Sequence, residues 1–296
     1  MSVGSVPVES AGAISVGQGA PDLRREFLRN LTHQWPFAFG AAILGFWILA
    51  AIFGHLVVKN PDAENLLLIN KAPSGAHWFG TDPLGRDMFA RVITGSRDIL
   101  VTAPLATLLG TILGTAIGLV MGYFRGIADE VIGRFVEAFL ALPLVVTGIL
   151  GVIALGHSDG ALILIIGLVF TPLIARTVRA AVLLERELDY VSAARLRGET
   201  SRYIMFREIL PNVLAPIMVE FTVRLGYAVF TLVTLSFLGF GVQPPSSDWG
   251  LEIYSNFGEV AAGYWWEVLF DALAIASLVI GVNMIATSIE SALEAS

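Results

Sequence analysis

Glu220 and Arg224 stand four residues apart inside a long apolar run, 213–238. On a helix that spacing puts both on one face, where they can pair. Ionisable groups in apolar helices face a polar path or a partner helix. Two readings therefore stand: a pair that lines or gates a path, or a neutralised pair that fixes packing. A second polar group, Gly156-His157-Ser158-Asp159-Gly160, spells G-x-S-x-G. A nucleophile elbow needs a strand before that serine and a helix after it. Here the pentapeptide joins two apolar segments, and adjacent His, Ser and Asp cannot face one another as a triad. No catalysis is expected there. His33, His55, His77 and His157 are far apart in sequence and lack ligand spacing, so no metal site is expected. No G-x-x-x-x-G-K-[ST] occurs, so the chain is not expected to hydrolyse ATP itself.

The stretch 189–212, DYVSAARLRGETSRYIMFREILPN, is polar and arginine-rich between two apolar segments. Asp189, Tyr190, Ser192, Ala193, Ala194, Arg195 and Arg197 predict a short helix with a small-residue face. Gly198 then permits a sharp turn, and Leu210-Pro211 opens the next helix. A helix of this kind can seat in a groove on a soluble partner.

The elements that must hold these residues are membrane helices. The chain has 296 residues, 55% hydrophobic and 15% charged, with mean hydropathy +0.75. A soluble domain of this length carries more charge. Six apolar runs are long enough to cross a bilayer: 36–58, 99–122, 138–156, 161–176, 213–238 and 268–289. Residues 1–35 read as a disordered tail, 59–98 as an outer loop, and 99–296 as a five-helix core containing the loop 177–212. With the N-terminus inside, most Lys and Arg fall on the inner side, including Arg24, Arg25, Arg29, Arg179, Arg186 and Arg202. Lys59, Lys71, Arg86, Arg91 and Arg97 lie in the first outer loop. Tyr264, Trp265 and Trp266 precede the last span, where an interfacial belt is expected. Gly110, Gly114, Gly118, Gly122 and Gly126 recur every fourth residue and predict a close-packing ridge. The net charge of −7 argues against a nucleic-acid surface, and the absence of cysteine excludes a disulfide framework.

Four stretches together resemble one family. HWFGTDPLGRDMFARVITGSR (77–97) is similar to a GTDxxGRD signature. Its Gly80 and Gly85 allow turns across which Asp82, Arg86, Asp87 and Arg91 can pair. GYFRGIADEVIGRFVEAFLALP (122–143) matches in Asp129, Arg134 and Glu137. The stretch 189–212 resembles the EAA loop, with Ser192 where glutamate is usual and Glu208 where isoleucine is common. LSFLGFGVQPPSSDWG (235–250) matches a further signature whose glycines and prolines stop a helix and turn the chain. The chain resembles inner-membrane permease subunits of ATP-binding-cassette importers, above all the second permease of the dipeptide, oligopeptide and nickel uptake family.

That resemblance implies an all-α integral membrane protein of the type I ABC importer permease fold, with six transmembrane helices and a cytoplasmic coupling helix. It implies docking of 189–198 on an ATPase. It leaves Gly80, Asp82, Gly85, Arg86 and Asp87 as either a self-satisfied loop or a contact for a substrate-delivering protein. Expected partners are a homologous second permease, two ATP-binding subunits holding ATP and Mg, an extracytoplasmic binding protein and the lipid bilayer. No cofactor is expected in this chain. The expected location is a bacterial inner membrane, with both termini cytoplasmic. The implied cargo is a short peptide, with nickel or another small solute as the alternative. A membrane-embedded hydrolase would need a convergent catalytic set, which is not found here; a non-catalytic membrane scaffold is the other remote alternative.

Overall fold

The computed structural model describes residues 31–58 and 60–294. The expected tail, with Arg24, Arg25 and Arg29, lies almost wholly outside them, as does Lys59. The helices of eight or more residues are α1 Trp35–Val57, α2 Met88–Phe124, α3 Gly126–Leu140, α4 Leu144–Leu155, α5 Asp159–Glu185, α6 Asp189–Leu196, α7 Leu214–Phe237, α8 Trp249–Asn256 and α9 Trp266–Glu294. Five of them are long and apolar enough to cross a membrane: α1, α2, α5, α7 and α9. The α3–α4 pair passes the same test as one span broken by a 93° bend.

The bend revises the expected third span, 138–156. Apolar residues run on through it, but Pro143 cannot donate a backbone hydrogen bond and disfavours helix at the residue before it. The chain therefore leaves α3 at Ala141 and restarts at Leu144. Other boundaries move outward for local reasons. Met88 starts α2 because the Asp87 carboxylate accepts the Ala90 N–H at 3.0 Å. The last part of the expected outer loop is thus helical. Ser158 caps α5 in the same way through the Ala161 N–H at 3.2 Å, and α5 continues to Glu185.

The core lies where α2 meets α5, the largest helix–helix contact. The glycine ridge makes it. A Cβ on Gly110 would come within 2.9 Å of the Gly167 carbonyl oxygen, and one on Gly118 within 2.7 Å of that of Ala175. On Gly114 and Gly122 it would meet Ile174 and Val182 at 2.7 and 2.6 Å. Backbones approach at distances no side chain permits. Gly126, the fifth glycine, is not in the ridge. Arg125 (φ +51°) ends α2, and Gly126 (φ +61°) opens α3 facing empty space. By contrast α1 is peripheral. It crosses α9 at Gly40, where a Cβ would lie 2.7 Å from the Gly281 carbonyl oxygen, and Trp47 Nε1 donates to Ser277 Oγ at 2.9 Å.

Candidate functional site

The polar stretch folds as its residue types predict, with one correction. Helix α6 ends at Leu196; Gly198 follows at φ +78°, and its N–H donates to the Arg195 carbonyl at 3.0 Å while that of Glu199 donates to Ala194 at 3.2 Å. This is the left-handed turn that glycine adopts without steric cost. Val191 and Ala194 are fully buried, in one core cluster with Ile204, Met205 and Ile209 of the following segment. That segment holds a π-helical turn, Ile204–Ile209, and Pro211 lies in the first turn of the short helix Leu210–Asn212. The two alanines therefore do not form one outward face. Ala194 packs inward, while Ser192, Ala193 and Leu196 are exposed, Leu196 to 90%.

Polar contacts fasten α6 to the membrane helices. Tyr190 Oη donates to Glu185 Oε1 at 2.8 Å and accepts from Asn212 Nδ2 at 3.0 Å. Burial, with the Glu185 carboxylate beside it, pushes this phenol up to about 12, so it stays a neutral donor. Arg197 pairs with Glu208 at 3.1 Å. Arg195 and Arg186 lie 5.6 and 6.0 Å from the Tyr123 ring centre at the end of α2, within cation–π range. Arg186 also donates to the Tyr123 carbonyl at 2.7 Å. Burial lowers the Arg186 pKa, and the nearby Arg195 and Arg125 lower it further. Nearby, Arg179 grips Asp129 of α3 with two hydrogen bonds of 2.6 and 2.7 Å. Tyr123, Glu185 and Asn212 were not singled out in the sequence, and Arg186 only as an inner-side cation, because each meets its partner only through packing.

At the opposite end the Asp82–Asp87 turn is held by its own groups. Asp82 is fully buried; its carboxylate accepts from the backbone N–H of Leu84 and Arg86 at 2.9 and 2.8 Å and from Arg86 Nε at 2.5 Å. Gly80 and Gly85 take positive φ, and a Cβ on Gly85 would overlap the Asn65 carbonyl. Asp87 caps α2 and bonds His77 Nδ1 at 2.7 Å. Arg91 does not pair within the motif as expected. Buried at 1% exposure, it bonds Asp62 at 2.6 Å, Glu252 at 2.5 Å and the Ser246 carbonyl at 2.7 Å. It thereby ties the outer loop, α2 and the 235–250 stretch together. Trp249 Nε1 adds a bond to the Val92 carbonyl at 2.8 Å. Trp266, expected in an interfacial belt, is buried beneath Gly80 and donates to the Thr81 carbonyl at 3.2 Å, while Trp265 stays half-exposed.

A long helical core thus carries a short two-faced helix at one end and a clamped loop at the other. The sequence pattern of the binding-protein-dependent transport system inner membrane component family matches residues 114–296. This chain belongs to that family. The permease is 33% identical over 273 residues to the glutathione transport system permease protein GsiD of Pectobacterium atrosepticum, covering 91% of this chain and 90% of that one. It is 36% identical over 271 residues to the dipeptide transport system permease protein DppC of Alkalihalophilus pseudofirmus, covering 91% and 89%. Its fold is similar to a chain of the methionine ABC transporter MetNI in inward-facing conformations. There the TM-score is 0.57 at 20% identity, over 70% of this chain and 97% of that chain. The fold is the type I permease fold, and the protein is an inner-membrane component.

Within the permease, Glu220 and Arg224 pair on α7 at 2.5 Å, largely shielded from solvent, and Arg224 lies 5.5 Å from the Tyr227 ring centre. The G-x-S-x-G pentapeptide is a helix start. Ser158 is engaged as the α5 cap, and His157 faces Gly241 and Gln243 at 3.3 and 3.4 Å.

Proposed function

We propose that this permease pairs with a homologous second permease and two ATP-binding subunits to import short peptides by alternating access. The observation that carries the reading is the two-faced helix α6. One side is sealed into the core through Val191 and Ala194, and the other leaves Ser192, Ala193 and Leu196 open. A helix fixed on one side by packing and by Tyr190, Arg195 and Arg197 can move with a partner as a lever. ATP shifts the path only if it favours one docking geometry over the other. Asp189 to Gly198 would seat in the ATPase groove, with ATP and Mg held entirely by that partner. The positive-inside distribution of arginine supports cytoplasmic termini. An extracytoplasmic binding protein would deliver cargo at the end bearing the Gly80–Asp87 loop. The names of the glutathione and dipeptide relatives support a short peptide as cargo.

The chain has no cysteine, so Ala193→Cys supplies a unique label. Crosslinking from it in membranes should capture a nucleotide-hydrolysing subunit. Capture of none, or labelling only from the extracytoplasmic side, would sink the coupling role.

A further inference from the structure

We infer that a cleft between α1 and α2 binds an anionic phospholipid, with the lipid phosphate on Arg97 and an acyl chain in the trough below. The cleft has a volume of about 670 Å³ and is open to the surroundings of the helix bundle. That size falls within the range of small-molecule sites. Ile48, Ile52, Leu100 and Val101 line it, together with His55 and Arg97.

Depth decides what Arg97 meets. Gly54 of α1 packs on Ile93 of α2, where a Cβ would lie 2.6 Å from Ile93 Cγ2. Arg97 is one turn further along α2, about 6 Å deeper at 1.5 Å per residue. It therefore lies within the stretch that α1 spans. Arg97 is exposed, and no carboxylate lies within ion-pairing distance of it among the described residues. Arg91 of α2 and Arg179 of α5, by contrast, each reach a carboxylate. Asp98, the neighbour of Arg97, attracts it only through space and is itself held by Ser246 Oγ; an arginine at this depth with no bonded partner is costly unless it reaches an anion or water. Arg97 and His55 share the lining with Ile48, Ile52, Leu100 and Val101. That is the complement of an amphiphile with an anionic head. The inference does not depend on the transport reading.

The test is native mass spectrometry of the permease with whatever subunits accompany it, extracted in mild detergent. The wild type should carry bound phosphatidylglycerol or another anionic phospholipid. Arg97→Gln should cut occupancy about fivefold, the loss expected for one cation against an anionic headgroup. Lys71→Gln, an exposed cation elsewhere in the outer loop, should leave it unchanged, and Arg97→Lys should keep most of it. If Arg97→Gln fails to fold, Ile52→Trp fills the trough with the cation intact and must show the same loss. Melting in phosphatidylglycerol vesicles should exceed that in phosphatidylcholine vesicles by a margin that needs Arg97. Equal lipid occupancy with and without Arg97 would overturn the inference. So would a shift reproduced by inorganic phosphate alone, or a crosslink from position 97 to the second permease.

Discussion

Asp248 shows how a single carboxylate can serve structure at a cost that depends on pH. It caps α8 by accepting the Leu251 N–H at 2.9 Å, yet it is fully buried, and its Oδ2 has no partner among the described residues. Burial raises its pKa to about 6; the Leu251 hydrogen bond offsets only part of that. Between the ordinary aspartate range and about 6 the folded protein holds a proton that the unfolded chain has released. Stability therefore falls as pH rises through that window and is greatest below it. A shift of this size corresponds to on the order of 3 kcal/mol. The melting temperature in detergent should drop between pH 5 and 7 in the wild type, both values being about one unit from the midpoint. Asp248→Asn keeps a capping oxygen and should remove only Asp248's own share of that fall, making the slope shallower. An unchanged slope would mean that another group titrates. Tyr190→Phe is a second test at this scale. It removes the hydrogen bonds to Glu185 and Asn212, each worth about 1 kcal/mol. Substrate-stimulated ATP turnover should fall more than the melting temperature does, since the loss loosens α6 rather than the core.

Among the elements, the α2–α5 contact and the α6 turn respond to opposite kinds of substitution. A Cβ on Gly118 would lie 2.7 Å from both the Ala175 oxygen and Val178 Cβ. Overpacking of this kind costs about 1–3 kcal/mol, so Gly118→Val should lower the melting temperature clearly. Gly160→Ala, where a Cβ meets open space, should not. Equal effects would show that the ridge is not what brings the helices together. Gly198 has room around it but sits at φ +78°. Gly198→Ala should therefore cost about 1 kcal/mol for the left-handed conformation alone. Gly198→Pro is harsher, because the ring forbids that φ and removes the N–H that bonds Arg195. Membrane insertion should survive it, and coupled ATP turnover should be lost. Retained coupled turnover would remove the lever from the mechanism.

For the whole molecule, the question is whether the Glu220–Arg224 pair belongs to the path or to the packing. Removing one partner leaves a charge in a site that is largely shielded from water, which costs about 3–5 kcal/mol when fully buried. The two side chains here are 12% and 19% exposed, so a smaller loss is expected. Glu220→Gln and Arg224→Gln should each lower the melting temperature, and the double variant should recover it. Peptide uptake should stay low in the double variant if the pair faces the path. Uptake that recovers together with stability would assign the pair to packing alone.

Local pattern was enough for much of this permease. Hydropathy marks its helices because a bilayer demands long apolar runs whose backbone bonds are satisfied within the run. The four-residue glycine period marks a ridge, and Ser192 to Gly198 mark a short helix and its turn, because those signals act over three or four residues. Which alanine of the pair faces out is different. It depends on where the 201–212 segment folds back, so only packing turned Ala194 inward and left Ala193 free. Arg91 finds Glu252 across 161 positions of chain, and Trp266 finds Thr81 across 185. No local period encodes partners so far apart. The 93° break between α3 and α4 belongs to the same class. Pro143 announces that a helix is interrupted, but the direction in which the chain resumes is chosen by the helices already packed around it.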